Sequence, residues 1–352
     1  MTHPYQEMMQ FALQALGLRE GVTFHMMPGG KGGSIRTFHR IRYGGNTAVF
    51  VHYDRGVKEN GYYATIAQFL RNIGISVPLV MAHDPHKGFI VMEDLGDSDL
   101  WSFRHEPWGV RSAYYRKTLV MAHRLHTFSP EKFPSHKVPL MEQFSPDLYR
   151  WERNYFYENF VQAMCGISLS LSERNDLEAE LIGLSYRLEN IRHSLVHRDL
   201  QSQNIMICRG EPVLIDFQGM RFGNLLYDLG SLLYDPYVSL TEEERIELLR
   251  YYYLLWISGR NEMNGRDDQR MVSPTWMYFL IMFREASAQR LMQALGAYGF
   301  LGLKRGIPEF LTHISNGVAN LIDAAAHAKR LPLLKNLASS CLHALKNRES
   351  IH

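Results

Sequence analysis

The sequence predicts an α+β chain in two lobes, a small β-rich N-terminal lobe and a larger, mainly helical C-terminal lobe. Three observations carry this expectation. Strand-period alternation and short apolar runs fill most of the chain up to Asp94. From residue 97 onward, long stretches show apolar residues at helical spacing. A short β-like island at 195–216 interrupts those helices, and its two apolar runs each end in an acid.

The elements follow in order. Met9, Ala12, Leu13 and Leu16 recur at helical spacing and predict a first helix. VTFHMM, SIRTFHRIRY and TAVFVHY read as strands; Ile35, Thr37, His39 and Ile41 alternate with Arg36, Phe38 and Arg40, and GGN is a hairpin turn. Residues 58–73 carry a helical pattern through Tyr62, Ile66, Phe69 and Leu70. VPLVMAHD and GFIVMED are two further strands joined by a polar turn, closing an antiparallel sheet near Asp94. Helices are expected over roughly 110–128, 142–164, 170–192, 241–258, 271–296 and, in pieces, 308–346. The sharpest boundary is EDLGDSDL, giving lobes of 1–94 and 95–352.

Composition excludes several classes. In 352 residues, basic side chains exceed acidic ones by two, so no net field favours nucleic acid or an anionic membrane. The 19 Tyr and 18 Phe are not interleaved with a basic stripe. Cys165, Cys208 and Cys341 form no metal-ligand spacing and read as free thiols of a reducing compartment. The first residues lack a basic n-region and a cleavage site, and no run reaches the ~18 apolar residues of a membrane span. A cytoplasmic protein is expected.

Chemistry concentrates in LVHRDLQSQNIM (195–206) and VLIDFQG (213–219). An acid beside a buried strand is costly unless a cation, a hydrogen-bond partner or a reaction accounts for it. A carboxylate at a strand end suits a general base for a substrate hydroxyl. An Asn carbonyl and a second carboxylate are hard oxygen ligands suited to magnesium beside nucleotide phosphates. His197-Arg198-Asp199, four residues and then Asn204 match the kinase catalytic loop H-R-D-x-x-x-x-N, and Asp216-Phe217-Gln218 matches the metal-binding Asp-Phe-Gly with Gln for Gly.

With IDFQ, the YDLGSLLYDPY segment at 227–237 and a first lobe closing in FIVMEDLGD, the chain resembles the aminoglycoside phosphotransferase/choline kinase family, whose fold is protein-kinase-like. Within it, the bacterial N-acetylmuramate/N-acetylglucosamine kinase branch is the nearest resemblance, sharing a late helix like QRLMQALGAYGFLG. The resemblance implies an ATP- and Mg2+-dependent kinase of a small-molecule hydroxyl. It implies Asp199 as base, Asn204 and Asp216 as magnesium ligands, and His197, Arg198 and Asp228 as supports of the catalytic loop. The backbone of Met92, Glu93, Asp94 and Leu95 would be the hinge that reads adenine.

The glycine-rich PGGKGGSIR is no Walker A loop. Gly30, Gly32, Gly33 and Ser34 are expected to let backbone N–H groups approach phosphates. Where protein kinases carry a strand lysine, TAVFVHYD offers only His52. Lys31, Arg40, Arg42 and Lys58 remain candidates for the phosphate cation, each of which also fits a solvated surface charge, and Glu59 falls where a helix glutamate could stand. Arg221, Arg284, Glu285 and Arg290 could reach the acceptor or form ion pairs. His123 and His126, three apart on a helix, suit a core hydrogen bond better than a metal.

The expected acceptor is an amino sugar of the N-acetylmuramate or N-acetylglucosamine type. An aminoglycoside, choline or another amino alcohol is the alternative. A pseudokinase that binds nucleotide without turnover is a second alternative, favoured by the missing lysine and Gln218 and opposed by the intact Asp199, Asn204 and Asp216. No nucleic-acid or membrane partner is expected. A nucleotidyltransferase acting next would suit a sugar-1-phosphate product.

Overall fold

The computed structural model describes residues 4–19, 23–26, 36–263 and 275–349. The described chain forms two compact units. The first contains the described residues within 1–102, 133–141 and 203–220, and the second those within 103–132, 142–202 and 221–352.

In the first unit, helix α1 (Pro4–Ala15) precedes strands β1 (Thr23–Met26), β2 (Thr37–Tyr43) and β3 (Asn46–His52). After a single 3-10 turn comes α2 (Tyr63–Asn72), then β4 (Val80–Asp84) and β5 (Phe89–Glu93). The five strands make one antiparallel sheet in the order β1-β2-β3-β5-β4. The β2–β3 turn places Gly44 at φ 50° and Gly45 at φ 80°, a left-handed pair that glycine adopts without a Cβ penalty. Along β2, His39 and Ile41 face inward, whereas central β3 buries Ala48 through Val51 on both faces. Met8 and Ala12 of α1 pack on Ile41, Ala48, Phe50, Phe89 and Val91, an apolar cluster that fixes the helix on the sheet.

The helix expected over 58–73 is regular only from Tyr63. Its first turn, Lys58–Tyr62, is 3-10, has no side-chain cap and contains Gly61, a poor helix former. The hairpin of β7 (Ile205–Cys208) and β8 (Glu211–Leu214) belongs to this unit. Ile207 N–H donates to the Ser98 carbonyl at 2.8 Å and Leu214 N–H to that of Ser76 at 2.9 Å.

The second unit is built on helices α3 (Trp108–His126), α4 (Pro146–Phe156), α5 (Leu171–Glu189), α7 (Glu242–Met263), α8 (Trp276–Gly299), α9 (Ile314–His327) and α10 (Pro332–Glu349). Ser170 and Glu173 form a capping box at α5, and Ser145 caps α4 with Pro146 behind it. The expected 142–164 helix begins at Pro146 and runs from Tyr157 to Met164 as a π-helix. The start of the 271–296 helix is capped by Thr275, and residues 271–274 lie outside the described residues.

Two elements had no counterpart in the sequence reading: strand β9 (Arg221–Asn224), antiparallel to β6 (His193–Val196), and helix α6 (Leu225–Leu233). All nine residues of α6 are buried, so it shows no polar face to betray a helical period. A Cβ on Gly230 would lie 2.9 Å from the Ser287 Cα, so α6 and α8 approach each other closely at that glycine. No helix among the described residues is long and apolar enough to cross a membrane.

Candidate active site

The residues of LVHRDLQSQNIM and VLIDFQG fall in both units, each of which builds its own cluster. In the second unit, β6 ends in the fully buried Leu195 and Val196 and delivers the chain to His197. Arg198 follows at φ 78°, a left-handed conformation that is costly for a side chain with a Cβ. Asp228, wholly buried in the first turn of α6, holds this bend. Its Oδ2 accepts the His197 N–H at 2.6 Å and its Oδ1 the Arg198 N–H at 2.7 Å. His126 Nε2 lies 3.1 Å from the same Oδ2, and His126 Nδ1 lies 2.7 Å from the Tyr252 hydroxyl. A buried carboxylate at a helix N-terminus that also receives backbone N–H groups is well compensated.

Asp199 sits between two guanidiniums. Arg198 Nη1 donates to its Oδ2 at 2.8 Å and Arg290 Nη2 to its Oδ1 at 3.3 Å. Burial by itself would raise this carboxyl, but Arg198 and Arg290, with His197 and Arg221 behind them, outweigh it and hold the group below its ordinary range. Arg290 is fixed in turn by Ser231 Oγ at 2.8 Å and Gln293 Oε1 at 2.5 Å. The loop then closes onto α6: Ser231 donates to the Arg198 carbonyl at 3.2 Å, and Asp235 just beyond the helix accepts the Ser202 N–H at 2.7 Å. Beneath lies Glu152, fully buried, accepting from Tyr227 Oη at 2.8 Å and Gln289 Nε2 at 2.9 Å; burial raises its pKa.

The other candidate side chains of this unit are engaged with protein partners. Arg284 pairs with Asp323 at 2.6 Å and with Glu242, and Glu285 pairs with Arg187 at 2.6 Å. Arg221 is buried in β9 with its guanidinium over the Phe144 ring. His193 lies 3.8 Å from Glu189, and no group of metal-ligating side chains that includes His193 and His197 forms among the described residues.

In the first unit, Asn204 and Asp216 flank the β7–β8 hairpin, where Ile215 N–H donates to the Asn204 carbonyl at 3.0 Å. Asp216 is left-handed at φ 62°. Its Oδ1 accepts from Gln218 Nε2 at 2.8 Å and is also ion-paired with Arg36. Phe217 is fully buried and stacks on Tyr63 with ring centroids 4.5 Å apart. Gln218, in the place of the motif's glycine, thus braces the neighbouring carboxylate.

In the segment expected to read adenine, Met92 pairs across the sheet with Val49 and Val80. Glu93 N–H donates to the Leu79 carbonyl at 2.8 Å, and its carboxylate accepts the Leu79 N–H at 3.1 Å. Asp94 is gripped by Arg40, from Nε at 2.7 Å and Nη2 at 3.1 Å, and Arg40 also reaches Asp97 at 2.8 Å. Arg40 therefore clamps the segment that follows β5. Leu95 follows half-buried, and Arg42 and Lys58 are exposed. Gly30, Lys31, Gly32, Gly33 and Ser34 lie outside the described residues. Sequence reasoning missed the contact of Arg36 with Asp216, which joins residues 180 apart and leaves no local signal.

A kinase-like α+β chain with these two clusters defines a small-molecule phosphotransferase. Residues 26–265 match the phosphotransferase enzyme family model, and the chain belongs to that family. An N-acetylmuramate/N-acetylglucosamine kinase of Neisseria meningitidis is 25% identical over 248 residues, 68% of this chain and 70% of that protein. A kinase of the same name from Pseudomonas aeruginosa is 22% identical over 324 residues, covering 90% of this chain and 88% of its own. Among solved structures, an ADP-bound aminoglycoside phosphotransferase superposes with a TM-score of 0.57 at 12% identity, over 96% of this chain and 99% of that one. A choline/ethanolamine kinase family protein of Mesorhizobium loti superposes with a TM-score of 0.56 at 16% identity, over 96% of this chain and 99% of that one.

Proposed function

We propose that this phosphotransferase transfers the γ-phosphoryl group of ATP to a hydroxyl of an amino sugar of the N-acetylmuramate or N-acetylglucosamine type. The observation that carries the reading is Asp199, presented on a strained loop that Asp228 pins by two backbone hydrogen bonds. A residue held so firmly in a costly conformation marks a position where orientation matters.

The acceptor oxygen bonds to the γ-phosphorus while the bond from that phosphorus to the bridging oxygen breaks. ADP leaves with the electron pair, and the hydroxyl proton passes to Asp199. An aspartate held below the ordinary range is a weak base, which suits a loose transition state in which orienting the hydroxyl matters more than deprotonating it early. His197, Arg198 and Asp228 keep that aspartate in place. Met92, Glu93, Asp94 and Leu95 form the adenine hinge, stiffened by the Arg40 clamp. Gly30, Gly32, Gly33 and Ser34 are the proposed phosphate loop.

Asn204 and Asp216 suit magnesium: both offer hard oxygens, and no described residue donates to Asp216 Oδ2. Bound there, magnesium would neutralise phosphate charge.

The sugar acceptor is favoured over aminoglycosides and choline by local charge as well as by the named relatives. Arg198, Arg221 and Arg290 surround Asp199, and burial raises the pKa of the neighbouring Glu152. A cationic acceptor would meet repulsion there, whereas a neutral or acidic sugar would not. A cytoplasmic enzyme whose sugar-1-phosphate passes to a nucleotidyltransferase completes the proposal.

The test is magnesium-dependent ADP release, scanned over N-acetylmuramate, N-acetylglucosamine, choline and an aminoglycoside, with Asp199→Asn as control. Turnover on the amino sugars, lowered about 10²- to 10⁴-fold in the control, is expected. Turnover confined to choline or the aminoglycoside would replace the acceptor. ATP binding with silence on every acceptor would favour the pseudokinase.

A further inference from the structure

We infer that Arg36 is the cation that grips the nucleotide's terminal phosphates in this enzyme, doing the work of the lysine that β3 lacks. The inference rests on the nucleotide reading above and concerns only the first unit. Three observations lead to it.

The sheet register is the first. Thr37, the first residue of β2, pairs with His52, the last of β3. His52 stands where the sequence would otherwise offer a strand lysine, so Arg36 enters beside that vacancy in the pattern from the neighbouring strand.

Contact is the second. The Arg36 guanidinium is ion-paired with Asp216, the proposed magnesium ligand, and is mostly buried, with 16% of its side chain exposed. No other lysine or arginine among the described residues pairs with that carboxylate. A cation already seated at a metal-binding acid lies close to where phosphates coordinated through that metal would sit. Its planar fork can bridge two phosphate oxygens, as an ammonium cannot.

Elimination is the third. Arg40 is committed to Asp94 and Asp97, Arg55 donates to the His86 carbonyl at 2.6 Å, and Arg71 donates to that of Val77 at 3.2 Å. Arg42 and Lys58 are exposed and Lys31 lies outside the described residues, so the comparison is among the described cations. Phe217, next to Asp216 in the chain, is buried and stacks on buried Tyr63.

The ion pair then has two uses. Before nucleotide binds, Arg36 neutralises Asp216, which would otherwise hold a half-buried charge on a strained backbone. Once the metal takes over that neutralisation, the guanidinium is available to the phosphates.

Calorimetric titration of the full chain with Mg-ADP and, separately, with adenosine tests this in wild type, Arg36→Gln and Arg36→Lys. Arg36→Gln is expected to weaken Mg-ADP by about 10- to 100-fold, the range for hydrogen bonds to charged groups, and to leave adenosine unchanged because it carries no phosphate. Arg36→Lys keeps the charge without the fork and is expected to lose less, again only with ADP. Equal Mg-ADP affinity in wild type and Arg36→Gln overturns the inference. So does an equal loss for ADP and adenosine, which marks an ion pair that only holds the fold. If Arg36→Gln melts below the assay temperature, the same comparison on Arg36→Lys decides it. A wild type that binds adenosine and Mg-ADP equally removes the nucleotide reading as well, which separates that failure from failure of Arg36 alone.

Discussion

Asp228 Oδ1 receives the backbone N–H of Arg198 at 2.7 Å, tying the first turn of α6 to the one strained residue of the HRD segment. Because the other oxygen of the same carboxylate holds His197 N–H and faces His126, a single buried side chain sets the path of the chain into Asp199.

Replacing Asp228 by Asn tests that dependence. The amide has one acceptor oxygen where the carboxylate has two, so one backbone N–H is left unsatisfied in the core, at about 1–3 kcal/mol. Turnover is expected to fall at least about tenfold, with a lower melting temperature and unchanged affinity for Mg-ADP, whose proposed ligands lie in the other unit. Steady-state kinetics beside a thermal melt read all three. Unchanged turnover in a destabilised protein would make Asp228 a fold residue only.

The charge around Asp199 predicts a pH dependence. Its carboxyl is held below the ordinary value of ~3.9 because Arg198 and Arg290 outweigh the effect of burial. The stabilisation from that ionisation is present above the ordinary value and is lost only as pH falls through the lower, folded one. Hence kcat/KM should show no acid limb from Asp199 within the range where the protein stays folded. In Arg290→Gln one counter-charge is gone and burial then counts for more, so the pKa rises and an acid limb moves up toward neutral pH. A pH profile of the variant identical to wild type would deny Arg290 this role.

How much of this was legible in the sequence depended on the range of the interaction. The antiparallel sheet followed from local alternation and from Gly44 and Gly45, whose turn is a two-residue matter. HRD, Asn204 and IDF were visible because they lie within twenty-two residues of chain. Helix α6 was not, since burial on every side erases the amphipathic period by which helices are recognised. Nor was β9, a four-residue strand too short to show an alternating period. Side-chain partners were the least legible. Arg40, one of four candidate phosphate cations that also fitted a surface charge, is paired with Asp94 and Asp97, and Arg36, read only as part of an alternating strand, meets an acid 180 residues away.

Glu152 provides the last prediction. It is fully buried between α4, α6 and α8, and burial raises its pKa despite hydrogen bonds from Gln289 and Tyr227 and the nearby Arg198 and Arg290. A carboxyl raised in the folded state contributes its full stability below the ordinary glutamate value of ~4.3 and loses it as pH climbs through the folded pKa. Glu152→Gln removes the titration and keeps the shape. The hydrogen bonds can survive: Tyr227 still donates to the remaining oxygen, and Gln289, whose Oε1 is buried without a partner, can flip its amide to accept from the new NH2. Relative to wild type, the variant should therefore gain stability as pH rises from 5 to 8, read as a growing difference in melting temperature. A difference that stays flat across that range would mean that Glu152 remains ionised in the fold, held so by Arg198 and Arg290.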